Sequence, residues 1–315
     1  MKKKDIKIPA NLLTNMRVGL VDSILCELHC QEPNHPEAPQ RVQAIREALA
    51  KAKFPLIPIT PHAASDVELH TVHLENYVKH VKQTCKTGGF VSADPDVFVQ
   101  NGSLTSALIA AGGVIDGVRA VVDGTCDHVF CNVRPPSHHA CAHKGSGFCV
   151  FNNTALGVME ALKTYNRVLL FDWDSHHFNG SAAIFKHHPQ VLLTSFHVAP
   201  PFYPNSGHVS ENTASCLNYP LAPKTSAEEY RKLFEFDYLP KARAFNPDVI
   251  FISCGFDSHV LDSIGQLMLT EPDYAWMTFK LKEFGKPIIV SLEGGYNISA
   301  VASSAVAVVS QILAV

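Results

Sequence analysis

The stretch that decides the fold is VLLFDWDSHH, residues 168–177. Four apolar residues lead directly into two aspartates and two histidines. A short apolar run of this kind is typical of a strand buried on both faces of a parallel sheet. The polar residues behind it then lie at the carboxyl end of the strand, where open parallel sheets bind ligands. We therefore expect an α/β fold with a reactive site at this strand end.

The rest of the chain alternates short apolar runs with stretches of helical periodicity, which predicts a parallel sheet covered by helices. We predict one domain, residues 17–315, preceded by an extension at 1–16, and a three-layer sandwich around a central, mostly parallel sheet. The predicted strands are 17–22, 127–133, 167–172, 191–196, 248–253 and 287–292. The predicted helices are 40–52, 103–122, 154–164, 226–242, 271–284 and 298–313.

The composition argues against a nucleic-acid-binding or membrane-spanning protein and favours a cytoplasmic location. The formal charge is −3, with no long basic run, so we expect no nucleic-acid partner. The apolar end of the chain is rich in Ala, Ser and Val, and we interpret it as a buried helix rather than a membrane span. Nine cysteines without a CxxC pair predict free thiols in a reducing cytoplasm. The oligomeric state, including a homo-oligomer, stays open.

The strand end at 172–176 is a candidate metal site. Residues two apart in an extended segment point the same way, so Asp172, Asp174 and His176 share one face. A further ligand must come from another strand, and Asp257 is the best candidate. Three protein ligands with one open position are typical of catalytic zinc. The histidine favours zinc over magnesium, and iron(II) or cobalt would also be tolerated.

Two further segments supply groups for acid–base chemistry. His138 and His139 follow a strand and a diproline, and a neutral imidazole near a metal can accept a proton from water. Asp172 is a plausible partner for one of these histidines and Asn179 for the other. Tyr296 follows two glycines at the last strand end, where its hydroxyl could stabilise an oxyanion.

These motifs resemble the histone deacetylase superfamily of arginase-fold amidohydrolases, in its class II and bacterial branch. The resemblance rests on segments in the family's order over nearly the whole chain. The matching segments are HPE with Arg41 (35–41), RPPSHH (134–139), GFCVFNN (147–153), DWDSHH (172–177), GFD (255–257) and EGGYN (293–297).

The resemblance implies a role for each matching residue. Zinc would sit on Asp174, His176 and Asp257, with His138 and His139 as base and acid and Tyr296 polarising the acyl carbonyl. Potassium would sit behind it on Asp172, the backbones of 174 and 176, and 195–196. Arg41 would line a channel for the released acid. The implied substrate-binding residues are Phe148, Tyr203, Gly147, Asp96 and Ile264.

Three positions depart from the family pattern: Ser175, Phe178 and Asn179. Phe178 replaces a usual glycine, which predicts a narrower pocket or a shifted cation loop. The expected substrate is an acyl-lysine peptide or an acylated small amine. An acetylpolyamine amidohydrolase is the alternative. Polyamine-selective members of the family carry an acidic residue at the entrance, and Ile264 lies near that position here, which weakens this alternative. Asp262, two residues earlier, keeps it open. A silent acyl-lysine-binding module and a two-metal ureohydrolase are further alternatives.

Overall fold

A computed structural model describes residues 16–31, 34–92 and 95–314. The proposed extension at 1–16 therefore lies, except for Met16, outside the described residues. The strands are β1 (Val18–Asp22), β2 (Leu56–Ile59), β3 (Gly89–Phe90), β4 (Phe98–Val99), β5 (His128–Asn132), β6 (Val168–Asp172), β7 (Val191–Val198), β8 (Cys216–Leu221), β9 (Val249–Cys254) and β10 (Ile288–Leu292). The helices are α1 (Gln40–Ala52), α2 (Asp66–Leu69), α3 (Glu75–Thr87), α4 (Ser103–Val122), α5 (Asn153–Ala161), α6 (Asn179–Phe185), α7 (Ala227–Leu233), α8 (Leu239–Phe245), α9 (Glu271–Lys282) and α10 (Ile298–Leu313).

Within the described part of the chain, eight strands form one sheet in the order β2-β1-β5-β10-β9-β6-β7-β8. Every pairing in it is parallel, so the predicted parallel sheet is confirmed. All six predicted strands are present. The central strands β5, β6, β9 and β10 are buried along their whole length, as their mostly apolar sequences indicate.

The two edge strands, β2 and β8, were not predicted. Each carries a proline, Pro58 or Pro220, which cannot donate to a neighbouring strand. On β8 the backbone N–H of Asn218 donates to the Asn212 side chain at 2.8 Å. Both features blunt the edges of the sheet against pairing with another chain.

Helices cover both faces of the sheet, which confirms the three-layer sandwich. Side chains of α3, α4, α5 and α6 pack against one face in a single apolar core. Those of α1, α7, α8, α9 and α10 form a second core on the other face. Helix α4 is long and apolar enough to cross a membrane, but 72% of its apolar window is buried inside the protein, as in the core helix of a soluble domain.

The predicted helix at 226–242 is interrupted. Its capping box is present, since the Ser226 hydroxyl accepts from the Glu229 N–H and the Glu229 carboxylate accepts from Ser226. Between α7 and α8, residues Phe234–Tyr238 form a π turn in which the Leu239 N–H donates to Phe234. Pro240 explains the wider turn, because its ring has no N–H and would clash with the carbonyl four residues earlier.

Candidate metal centre and active site

The candidate site lies where β5, β10, β9 and β6 end side by side. These four strands are neighbours in the sheet and parallel, so their carboxyl ends meet at one edge. Each end leads into one group of candidate residues. These groups are His138 and His139 after β5, Tyr296 after β10, Asp257 after β9, and Asp174 with His176 after β6.

Asp174, His176 and Asp257 converge as the sequence predicts. All three are buried, and one ligand atom from each lies within 4.8 Å of the other two. Nδ1 of His176 is 3.0 Å from Asp174 Oδ1 and 2.8 Å from Asp257 Oδ2. One imidazole N–H cannot serve two carboxylates fully. The nitrogen and oxygen donors therefore fit a divalent cation such as zinc.

The electrostatics of the two carboxylates also fit a cation. Burial and the nearby Asp174 charge raise the pKa of Asp257 to about 7. Burial alone would raise the pKa of Asp174 as well, but the neighbouring His138 and His176 outweigh it and hold this pKa well below its usual range. Two buried carboxylates this close repel each other unless a positive charge lies between them.

Gly294 brings the backbone of the last strand end against these ligands. Its N–H donates to Asp174 Oδ2 at 2.9 Å. A Cβ at this position would lie 2.5 Å from Asp174 Oδ2 and 2.8 Å from Asp257 Oδ2, both too close. Only glycine therefore allows this approach.

His138 is bonded to a carboxylate. Its Nδ1 lies 2.9 Å from Asp172 Oδ2, and its Nε2 lies 3.9 Å from Asp174 Oδ2. Burial alone would lower the pKa of His138, but the charges of Asp174 and Asp172 outweigh it and raise this pKa to about 10. Asp172 thus stabilises the imidazolium form of His138.

His139 has a neutral partner instead. Its Nδ1 lies 2.6 Å from Asn179 Oδ1. Because an amide oxygen only accepts, Nδ1 carries the proton and Nε2 keeps its lone pair. Burial, together with the charges of His138 and His176, lowers the pKa of His139 well below its usual value. The two adjacent histidines are therefore differently charged, with His139 the neutral one.

The rings of Tyr296 and Phe148 meet edge to face beside the candidate ligands. Their ring centroids are 5.9 Å apart, and the Arg41 guanidinium lies 5.2 Å from the Tyr296 ring centroid. Burial raises the pKa of Tyr296 well above its usual value, so its hydroxyl keeps its proton. Phe148 has a positive φ of 68°, unusual for a residue with a side chain.

A second group of aromatic rings lies beside His176, and it contains a residue that the sequence analysis did not single out. Phe202 stacks on His176, with ring centroids 4.9 Å apart and planes at 17°. Tyr203, which the sequence predicts to bind substrate, is 39% exposed, and its ring meets that of His139 edge-on with centroids 5.1 Å apart. The neighbouring aromatic residues Phe202 and Tyr203 indicated an aromatic surface here, but the sequence alone could not tell which of the two rings packs on His176.

Asp96 links the Gly147 backbone to the Tyr203 side chain. Its Oδ2 accepts from the Gly147 N–H at 2.6 Å and from the Tyr203 hydroxyl at 3.2 Å. The same hydroxyl lies 2.8 Å from Ser146 Oγ. Gly147 has a positive φ of 52°, and a Cβ there would overlap the His139 ring. Asp96 therefore lies beside the predicted substrate-binding residues, bonded to two of them.

Buried charges within the family-like motifs hold the segments that carry the candidate residues. Glu293 accepts five hydrogen bonds, two of them from the backbone N–H groups of Ser137 and His138. Arg41 donates to the carbonyls of Glu293 and Gly295 and lies 3.1 Å from Glu37. These bonds fix the Tyr296 segment relative to the histidine pair.

The departures from the family pattern lie away from the opening. Phe178 is fully buried in the apolar core with Phe151 and Phe185, so the expectation that it narrows the pocket is wrong. The aromatic ring instead fills core volume at the start of α6. Ser175 is also buried, and its N–H donates to Asp257 Oδ1 at 2.8 Å.

The chain matches known proteins over most of its length. The sequence profile of the histone deacetylase domain matches residues 35–312. A probable deacetylase of Archaeoglobus fulgidus is 34% identical, over 86% of this chain and 79% of that protein. Histone deacetylase 5 of Arabidopsis thaliana is 33% identical, and histone deacetylase clr3 of Schizosaccharomyces pombe is 34% identical. The matches span 94% and 90% of this chain but 49% and 45% of those two proteins. The crystal structure of the HDA15 HD domain superposes with a TM-score of 0.90 at 32% identity, covering 95% of this chain and 90% of that one.

Proposed function

The chain belongs to the histone deacetylase family and is a hydrolase of acetyl-amides, and we propose that it hydrolyses N-acyl-lysine side chains, or related N-acyl amines, with one zinc ion. The observation that carries the proposal is the position of the buried cluster Asp174, His176 and Asp257 beside two histidines with different partners. Structural metal sites have no need of such acid–base groups, whereas amide hydrolysis requires proton transfer in both directions.

Zinc would be held by Asp174, His176 and Asp257. Bound there, it would supply Lewis acidity toward the acyl carbonyl and a water molecule. The mixed nitrogen and oxygen donors also accept iron(II) or cobalt, so metal identity is part of the proposal.

The histidine pair divides the proton transfers. His139, neutral and with Nε2 free to accept, takes a proton from the attacking water while the water oxygen bonds to the acyl carbon. His138, stabilised as imidazolium by Asp172, gives a proton to the amine nitrogen as the carbon–nitrogen bond breaks. One water is consumed, a carboxylic acid and an amine are released, and transfer of the proton from His139 back to His138 restores both side chains.

Tyr296 stabilises the charge that builds on the acyl oxygen. Its hydroxyl keeps its proton and can donate to that oxygen more strongly as negative charge develops. Phe148 and Phe202, with Tyr203 near the surface, provide apolar walls for an extended lysine-like chain. Gly147, Asp96 and Ile264 are the proposed contacts nearer the opening.

Two further assignments are part of the proposal. Potassium would bind near Asp172 and Ser195, which are paired neighbours on β6 and β7 and are both buried. We also propose a cytoplasmic location, supported by cysteines that are all free thiols.

Asp262 is not available to hold the second ammonium of an acetylated polyamine. A second ammonium needs an accessible carboxylate near the opening. Asp262 Oδ1 accepts from Ile264 and Gly265, and its Oδ2 accepts from Tyr296 and Asn297. Both oxygens are thus fully engaged with backbone donors.

A substrate panel tests the proposal. The zinc-loaded protein should release acetate from an acetyl-lysine peptide, with a kcat/KM at least about tenfold above that for acetylputrescine, a gap of about 1.4 kcal/mol in transition-state binding. Tyr296→Phe should lose most activity yet retain zinc. Tight binding of the peptide without turnover would instead support a silent binding module.

A further inference from the structure

The carboxylate of Asp262 collects four backbone donors from two separate segments. Oδ1 lies 2.9 Å from the Ile264 N–H nitrogen and 3.2 Å from that of Gly265. Oδ2 lies 2.6 Å from the nitrogen of Tyr296 and 3.0 Å from that of Asn297. The side chain is only 9% exposed. One buried carboxylate therefore ties the loop after β9 to the backbone that carries Tyr296.

The second segment begins α10. Asn297 caps this helix, since its Oδ1 accepts from the Ala300 N–H at 3.0 Å, and its Nδ2 donates to Leu261 O at 3.0 Å. The Asp262 charge thus lies at the positive end of the helix, where an anion is stabilised. Gly295, on the other side of Tyr296, is bonded through its carbonyl to Arg41 Nε at 2.5 Å. The backbone around Tyr296 is held by a cation on one side and an anion on the other.

We propose that Asp262 is a positioning residue that aims the Tyr296 hydroxyl at the reacting carbonyl. This inference rests on the proposed amide hydrolysis and gives Asp262 a part in it without any contact with substrate. Its bonds to the backbone N–H groups of Tyr296 and Asn297 fix the stretch of backbone from which the tyrosine ring extends.

Replacing Asp262 by asparagine breaks this arrangement with almost no change in size. An amide offers one accepting oxygen and one donating NH₂ group. If the oxygen stays with Ile264 and Gly265, the NH₂ group faces the donors of Tyr296 and Asn297. The tyrosine backbone then shifts, and a displacement on the order of 1 Å at a catalytic group costs about a hundredfold in rate.

A double-mutant cycle distinguishes positioning from general destabilisation. D262N should lower kcat on an acetyl-lysine peptide by about ten- to a hundredfold, while KM stays within about threefold. In a Y296F background the same change should lower kcat less than about twofold, because the group it positions has gone. An equal loss in both backgrounds, or an unchanged kcat, overturns the proposal.

Hydrogen exchange gives a readout that does not need turnover. The amides of Tyr296 and Asn297 should exchange faster in D262N, whereas D248N should leave them unchanged. Asp248 is a matched control, since its Oδ2 accepts from the backbone N–H groups of Asn166 and Arg167 at the start of β6, away from the site. If these amides exchange faster in D262N but the wild type does not hydrolyse an acetyl-lysine peptide, the anchor is retained and the proposed function is rejected. Unchanged exchange in D262N would reject the anchor itself.

Discussion

Acid should weaken the protein through one buried carboxylate, Glu37. Arg134 donates to both Glu37 oxygens at 2.6 and 2.9 Å, and Arg41 approaches at 3.1 Å. Burial alone would raise the pKa of Glu37, but the two guanidinium groups outweigh it and hold this pKa at about 2, against 4.5 for an ordinary glutamate. Because the folded pKa is lower, the stabilisation is complete above the unfolded pKa and is lost as pH falls from 4.5 toward 2.

The size of the effect follows from the two pKa values. The gap corresponds to roughly 3 to 4 kcal/mol at neutral pH, and about 1 to 2 kcal/mol of this should already be lost near pH 3.5. Glu37→Gln provides the comparison, because glutamine resembles protonated glutamate and leaves Arg41 and Arg134 without a counter-charge. The variant should be less stable than the wild type by about 3 kcal/mol or more at neutral pH.

Urea unfolding of the wild type and Glu37→Gln, followed by circular dichroism at a series of pH values, measures the difference directly. Subtracting the two curves removes every other carboxylate that titrates in the same range. The stability difference should shrink steadily as pH falls below about 4.5. A difference that stays constant from neutral pH to about pH 3.5 would refute the assigned pKa and the charge pairing behind it.

Two other predictions test the site. Gly294→Ala places a methyl group 2.5 Å from Asp174 Oδ2. It should therefore weaken zinc binding by about ten- to a hundredfold in a competition titration, and wild-type affinity would contradict the crowding. Phe202→Ala removes the ring stacked on His176 and should raise the KM for an acetyl-lysine peptide about tenfold. Tyr203→Phe keeps its ring and should change that KM less than about threefold. Equal effects of the two variants on KM would show that the Phe202 ring does not line the substrate site.

The sequence predicts most of the fold because its strongest signals are local. Central strands are continuous apolar runs, and helices such as α4 and α10 keep long apolar stretches between clear boundaries. Helix α3 was missed because Leu74 provides no side-chain cap and most of its residues are polar. The edge strands were missed because a proline and half-exposed residues hide the alternation that marks a strand.

The candidate metal ligands were predictable because each lies a few residues after the end of a strand. The supporting contacts were not, because they depend on the path of the loops in three dimensions. Asp262 illustrates this, since the sequence places an acidic residue near the opening, but only the fold directs both of its oxygens to backbone donors. The expectation that Phe178 narrows the pocket failed for a related reason, because a position two residues after His176 can face the core.

The central claim is metal-dependent amide hydrolysis at Asp174, His176 and Asp257, and one measurement tests it most directly. Turnover of an acetyl-lysine peptide is followed while zinc is removed by a chelator and then titrated back. Activity should disappear with the metal, return in proportion to added zinc and saturate at about one ion per chain. The Asp257→Ala protein should show no such recovery. Full activity in the stripped protein, or in Asp257→Ala, would contradict the account.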